Sequence, residues 1–224
     1  MSKKLLYTVT TFPCYPTEQN KEVRIVLVGK TGAGKSAAGK NILGRKGFLS
    51  RFSSNSLTKE CKKSNGKVDG QSVAVIDIPG WFDTTLSNEE VLRNIPLCIS
   101  LSAPGPHVFL VVIKLGGFTE EEQKTVEMIQ KLFGDEALKY TMVLFTHGDL
   151  LDNNDLKIDE FLLKNPDMKN SISLCNGRYH VFDNKDKNRS QVTELLVKIN
   201  KMVKMNGERQ THFKTLSCVS SKYL

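Results

Sequence analysis

The chain has 224 residues, of which 39% are apolar and 25% charged, with a formal net charge of +8. One domain with room for a full α/β core fits that length, and the balance is that of an ordinary soluble protein. The apolar runs, such as Val108 to Ile113, are only strand length, which excludes a membrane-spanning helix, and the lysines are scattered without interleaved aromatics, which argues for a solvated surface and no nucleic-acid partner.

Residues 1–21 are polar and interrupted by Pro13 and Pro16, and are expected to form a flexible arm without a secretory signal. Val23-Arg24-Ile25-Val26-Leu27-Val28 follows as a buried strand. Next comes Gly29-Lys30-Thr31-Gly32-Ala33-Gly34-Lys35-Ser36, and then Ala37 to Leu43, which reads as a helix ending near Gly44. Strand, glycine loop and helix in that order are the context a phosphate-cradling loop requires. Glycines permit backbone angles that a Cβ would block, so successive amides can converge on one anion, and the helix start adds partial positive charge. Gly29 to Ala37 are therefore candidate nucleotide contacts. Lys35 is placed to reach the outer phosphates and the Ser36 hydroxyl to ligate Mg²⁺.

Residues 45–66 are polar and serine-rich, and predict a mobile loop leading into an edge strand. Ser72 to Asp77 is a further strand, closed by a Pro79-Gly80 loop and a helix from about Asn88 to Leu101. Val108 to Ile113 is a core strand entered through the turn Ala103-Pro104-Gly105-Pro106-His107. Thr119, with Glu122 three residues on, predicts a capped helix reaching about Phe133. Tyr140 to Phe145 is a strand, 153–176 are helical and broken at Pro166, and Arg178 to Phe182 is the last strand. Gln191 to Met205 is an amphipathic helix with Val192, Leu195, Leu196 and Ile199 on one face, and the tail from 206 to 224 is polar. Apolar strands alternating with helices call for a parallel sheet covered on both faces.

Three strand ends carry further candidates, because loops at the carboxyl ends of parallel strands line the ligand crevice. Asp77 can hold Mg²⁺ through water, and the Gly80 amide can meet a γ-phosphate. In Thr146-His147-Gly148-Asp149, the Asp149 carboxylate can accept two N–H bonds from guanine, an edge that adenine does not offer, while His147 could lie flat on the base. In Phe182-Asp183-Asn184-Lys185, Asn184 is the best polar candidate for a second wall of the base site. A hydroxyl from the serine-rich stretch should also reach the Mg²⁺: Thr58 is chosen, with Ser54 and Ser56 as rivals. Cys14, Cys61, Cys98, Cys175 and Cys218 are odd in number and far apart, which argues against disulfides or a zinc site and for a reducing, cytoplasmic setting.

With these pieces together, residues 22–205 resemble the immunity-associated GTP-binding (GIMAP) proteins, which group with the septin and chloroplast-import-receptor GTPases. Beside the motifs above, the resemblance rests on Ser56-Leu57-Thr58-Lys59-Glu60-Cys61, on Asp77-Ile78-Pro79-Gly80-Trp81-Phe82-Asp83, and above all on the box Leu101-Ser102-Ala103-Pro104-Gly105-Pro106-His107 running on to Gly116-Gly117-Phe118-Thr119. It implies a G domain with the three-layer P-loop GTPase fold, a mostly parallel six-stranded sheet with helices on both faces, binding GTP or GDP with Mg²⁺, and a homodimer of the GTP form across the nucleotide face, often at membranes. Trp81 stands where water-positioning GTPases place glutamine, which fits slow hydrolysis. Gly117 stands where some members have an arginine, and Asp183 where the family often has asparagine. Two further readings compete with a slow GTP/GDP switch: a nucleotide-held scaffold, and an ATP-dependent kinase or ATPase, for which no lid arginines or acceptor pocket are found.

Overall fold

The computed structural model describes residues 22–44, 61–78, 98, 100–117, 120–152, 156–186 and 188–207. Thr58, Gly80, Trp81 and the Thr119 cap lie outside the described residues, as do the arm and the serine-rich stretch up to residue 60.

Six strands form one sheet: β1 (Val23–Val28), β2 (Lys62–Val68), β3 (Gln71–Asp77), β4 (Val108–Lys114), β5 (Thr141–Thr146) and β6 (Tyr179–Val181), in the order β2-β3-β1-β4-β5-β6. β3, β1, β4, β5 and β6 are mutually parallel. The expected edge strand exists but is antiparallel, and it runs on to Val68. A two-residue turn at Asp69-Gly70 makes it so. Both residues have positive φ, 49° and 83°, the backbone of the primed turn that matches strand twist. Such a tight connection can join only antiparallel neighbours. β2 also alternates in burial, whereas β1 is buried at every position, as a central strand covered on both faces must be.

Side chains alternate across the sheet and feed two cores. On one face Ile25, Leu27, Val75, Leu110, Val112 and Leu144 pack against α1 (Lys35–Leu43) and the last helix, through Ala38, Ile42, Leu195, Leu196 and Ile199. On the other, Val26, Ile76, Phe109, Val111 and Phe145 meet α2 (Glu120–Phe133) and, past the short α3 (Asp149–Asp152), α4 (Ile158–Leu163) and α5 (Pro166–Leu174). The last helix, α6, runs Ser190–Met205, with the four predicted apolar residues buried. Pro166 starts a helix where it was expected to break one, since its missing N–H costs nothing in a first turn. β5 begins one residue later than expected because Tyr140 closes a 3-10 turn, Asp135–Tyr140.

The Leu101–His107 box lies at the amino ends of β1 and β4, the sheet edge opposite the phosphate loop. Arg24 straps it there: Nε donates to the Gly105 carbonyl at 2.7 Å, the Arg24 N–H donates to His107 Nδ1 at 3.0 Å, and the His107 N–H returns to the Arg24 carbonyl at 2.9 Å. The box thus fixes how the chain enters β4. Among the described residues, no helix is long and apolar enough to cross a membrane.

Phe109 is fully buried at the centre of the second core and stacks on Phe133 with ring centroids 5.0 Å apart. Phe109→Ala should lower unfolding free energy by about 3–5 kcal/mol, read from the urea midpoint at unchanged m-value.

Candidate nucleotide site

β1 delivers its glycine loop over β4. Gly29 has φ 140°, and a Cβ there would lie 2.4 Å from the Val112 carbonyl oxygen, so only glycine lets the chain leave the strand this close to its neighbour. The loop turns through Gly32 and reaches α1 at Gly34, whose φ of 94° is again left-handed. Gly34 is the helix cap and has no side chain to satisfy the first-turn N–H groups, so the start of α1 keeps donors for an anion.

Lys35 is buried in the first turn. Its ammonium donates to the carbonyls of Gly29 at 2.8 Å and Lys30 at 2.9 Å, which holds the positive charge inside the loop. Ser36 turns the other way and donates from Oγ to Asp77 Oδ2 at 2.5 Å. Asp77 is only 3% exposed, and its Oδ1 is buried without a hydrogen-bond partner. Burial pushes this carboxyl above the usual carboxylate range, opposed by the Ser36 bond and by the charges of Lys35 and Lys62. An unsatisfied buried carboxylate oxygen beside a hydroxyl is a hard-oxygen donor pair that suits Mg²⁺. No group of three or more His, Cys, Asp or Glu that could hold a metal occurs among the described residues, so water or phosphate oxygens would complete the coordination.

The end of β5 is bolted to this loop, and the end of β6 to the residues after β5 and to α1. Thr146, buried at the end of β5, donates from Oγ1 to the Ala33 carbonyl at 2.7 Å. That uses its one hydroxyl proton, so His147 Nδ1, 3.1 Å away, must be the donor to Thr146 Oγ1. His147 itself has φ 62°. Gly148 then runs against β6: its N–H donates to the Phe182 carbonyl at 2.9 Å, and a Cβ would lie 3.1 Å from Val181 and 3.3 Å from the Asp183 nitrogen. After β6, Gln191 holds Asp183 by both backbone groups, accepting from its N–H at 3.0 Å and donating to its carbonyl at 2.9 Å.

Asn184 does stand beside the phosphate loop, but its Oδ1 is engaged, accepting from Asn41 of α1 at 3.0 Å. Asp149 is met by Lys185, whose ammonium lies 2.5 Å from Oδ2 and holds the carboxyl below the usual carboxylate range, while Oδ1 is buried with no partner. The two walls of the expected base site therefore face each other across an ion pair. Sequence reasoning missed this pair, the Thr146–Ala33 bond and the Asn41–Asn184 bond. Lys185 adjoins Asn184, but nothing local ties either residue to a partner more than thirty positions away. A cavity of about 350 Å³ adjoins the Asn184–Lys185 wall, reaching Lys40, Asn41, Arg189 and Gln191 further along α1 and at the start of α6.

The glycines make a paired test. Gly32→Ala meets no atom within 4 Å and should cost about 1–2 kcal/mol from its backbone angle alone. Gly29→Ala strikes backbone and should lower the thermal midpoint clearly further than Gly32→Ala does.

Residues 23–221 match the AIG1 family. The chain is 39% identical over 202 residues to GTPase IMAP family member 8 of Homo sapiens, covering 88% of this chain and 30% of that protein. It is 36% identical over 200 residues to immune-associated nucleotide-binding protein 9 of Arabidopsis thaliana, covering 86% and 58%. The chain thus spans about a third and somewhat over half the length of these two relatives. Among solved structures, Toc33 from Arabidopsis thaliana in complex with Mg²⁺ and GMPPNP superposes with a TM-score of 0.63 at 19% identity, over 83% of this chain and 86% of that one, a likeness of fold. Family match, relatives and sheet order agree: the chain belongs to the AIG1 family and has the fold of a P-loop GTPase G domain.

Proposed function

We propose that this domain binds GTP and GDP with Mg²⁺ and acts as a slow guanine-nucleotide switch whose GTP form self-associates across the nucleotide face. One observation carries the reading: Lys35, Ser36 and the half-satisfied carboxylate of Asp77 meet at the mouth of the Gly29–Ser36 loop, which is the chemistry a Mg²⁺-bound phosphate chain needs.

In this reading the first-turn amides of α1 and Lys35 bind the phosphates, and Ser36 and Asp77 hold Mg²⁺, directly and through water. Bound Mg²⁺ neutralises charge on the outer phosphates. Asp149 takes the guanine N1–H and N2–H, and the loop from Asp183 to Lys185 bounds the base, with Asn184 steadying it against α1. Thr58 and Gly80 are assigned to the γ-phosphate side, with Trp81 in the place of a water-positioning glutamine, so intrinsic turnover is slow. Self-association and a peripheral place at membranes are what the family resemblance implies. Cys61, Cys98 and Cys175 are buried thiols outside any disulfide, which supports a reducing, cytoplasmic setting.

Lys35→Ala removes the buried ammonium and should abolish tight nucleotide binding. Calorimetry with GDP in magnesium buffer checks this, and retained micromolar affinity would contradict the assigned role. Phosphate release by the purified chain at tens per minute unaided would defeat the slow switch. Equal oligomeric state with GDP and with a non-hydrolysable GTP analogue would favour a nucleotide-held scaffold instead.

A further inference from the structure

The Lys185 backbone belongs to one wall, but its side chain builds neither, and its ammonium sits on the carboxylate assigned to the base. Guanine presents N1–H and N2–H side by side, so Asp149 must offer both oxygens in one plane. Oδ1 is buried and has no partner, and Oδ2 carries Lys185 at 2.5 Å. We propose that Lys185 is an internal competitor for guanine: the base has to displace its ammonium from Asp149 Oδ2, and the ammonium re-pairs with that oxygen as the base leaves. This deepens, and rests on, the reading of Asp149 as the guanine acceptor.

The surroundings favour a side chain that swings on a fixed backbone. The Lys185 N–H donates to Asp183 Oδ1 at 2.8 Å, and Asp183 is clamped by Gln191, so the loop itself is held. Beyond that anchor the Lys185 side chain is 76% exposed, against 20% for Asp149, so the ammonium can be rehydrated at small cost while the carboxylate stays in place. The displaced head has somewhere to go, because Lys185 and Asp186 both line the 350 Å³ cavity beside the site. Adenine places a ring acceptor where guanine has N1–H, so it gains nothing from the carboxylate and leaves the pair intact. Competition then acts on guanine alone: it lowers guanine affinity and assists release.

The test is a four-protein cycle of wild type, K185M, D149N and K185M/D149N, each titrated with fluorescent GDP and with xanthosine diphosphate. The amide introduced by D149N keeps one acceptor and adds an N–H donor that matches the 2-oxo group of xanthine, and it bears no charge for an ammonium to pair with. K185M should tighten GDP binding about two- to five-fold, the range expected for an exposed ion pair, and K185R should restore the wild-type value. In the D149N background, K185M should leave xanthosine diphosphate affinity within about two-fold. Loosened or unchanged GDP binding in K185M, with D149N still moving preference from GDP towards xanthosine diphosphate, overturns the competitor while leaving the Asp149 reading intact. A D149N variant that keeps its GDP preference overturns both.

Discussion

Five strands run the same way, and a parallel strand can be followed only by a crossover that leaves from its carboxyl end. Every loop after β1, β3, β4, β5 and β6 is therefore delivered to one edge of the sheet. The glycine loop, Asp77, Gly116, Thr146 to Asp149 and Asp183 to Lys185 share that edge for this reason alone. The strap between Arg24, Gly105 and His107 holds the opposite edge, so one end of the sheet is stabilised while the other is left to carry polar groups.

Placing that many polar groups at one edge creates an electrostatic problem, and the structure solves most of it internally. Lys35 is solvated by two loop carbonyls, Ser36 covers one oxygen of Asp77, and Lys185 covers one oxygen of Asp149. What remains is informative. One buried oxygen of Asp77 and one of Asp149 have no partner, and a buried acceptor left unmade is costly. In the proposed reading a cation satisfies the first and a purine edge the second. The same edge is close-packed, at Gly29 where a Cβ would strike the Val112 carbonyl and at Gly148 where one would press on β6, so the acceptors are held in position rather than left on loose loops.

Much of this was legible beforehand. The apolar runs of β1, β4 and β5 read as buried strands from their short length and β-branched content, and the glycine spacing between a strand and a helix carries its own mechanism. The α6 face was readable from its period. The Asp69-Gly70 hairpin went unread, because a polar edge strand gives little hydrophobic pattern to announce its extent or direction. The Leu101–His107 box was visible as a signature, but its place at the far edge of the sheet was not, since that depends on a buried arginine in another strand.

By itself the sequence determined the strand–glycine loop–helix unit and the alternation that makes a covered parallel sheet, because each of those signals lies within a few consecutive residues, and it nominated the residues proposed above to contact phosphate, metal and base. Only the tertiary structure decided which groups are already partnered: Ser36 with Asp77, Thr146 with Ala33, Asn41 with Asn184, Asp149 with Lys185. Those pairings join residues far apart in the chain, and nothing but the packing of β3, β5 and β6 around β1 and α1 brings them within hydrogen-bond reach.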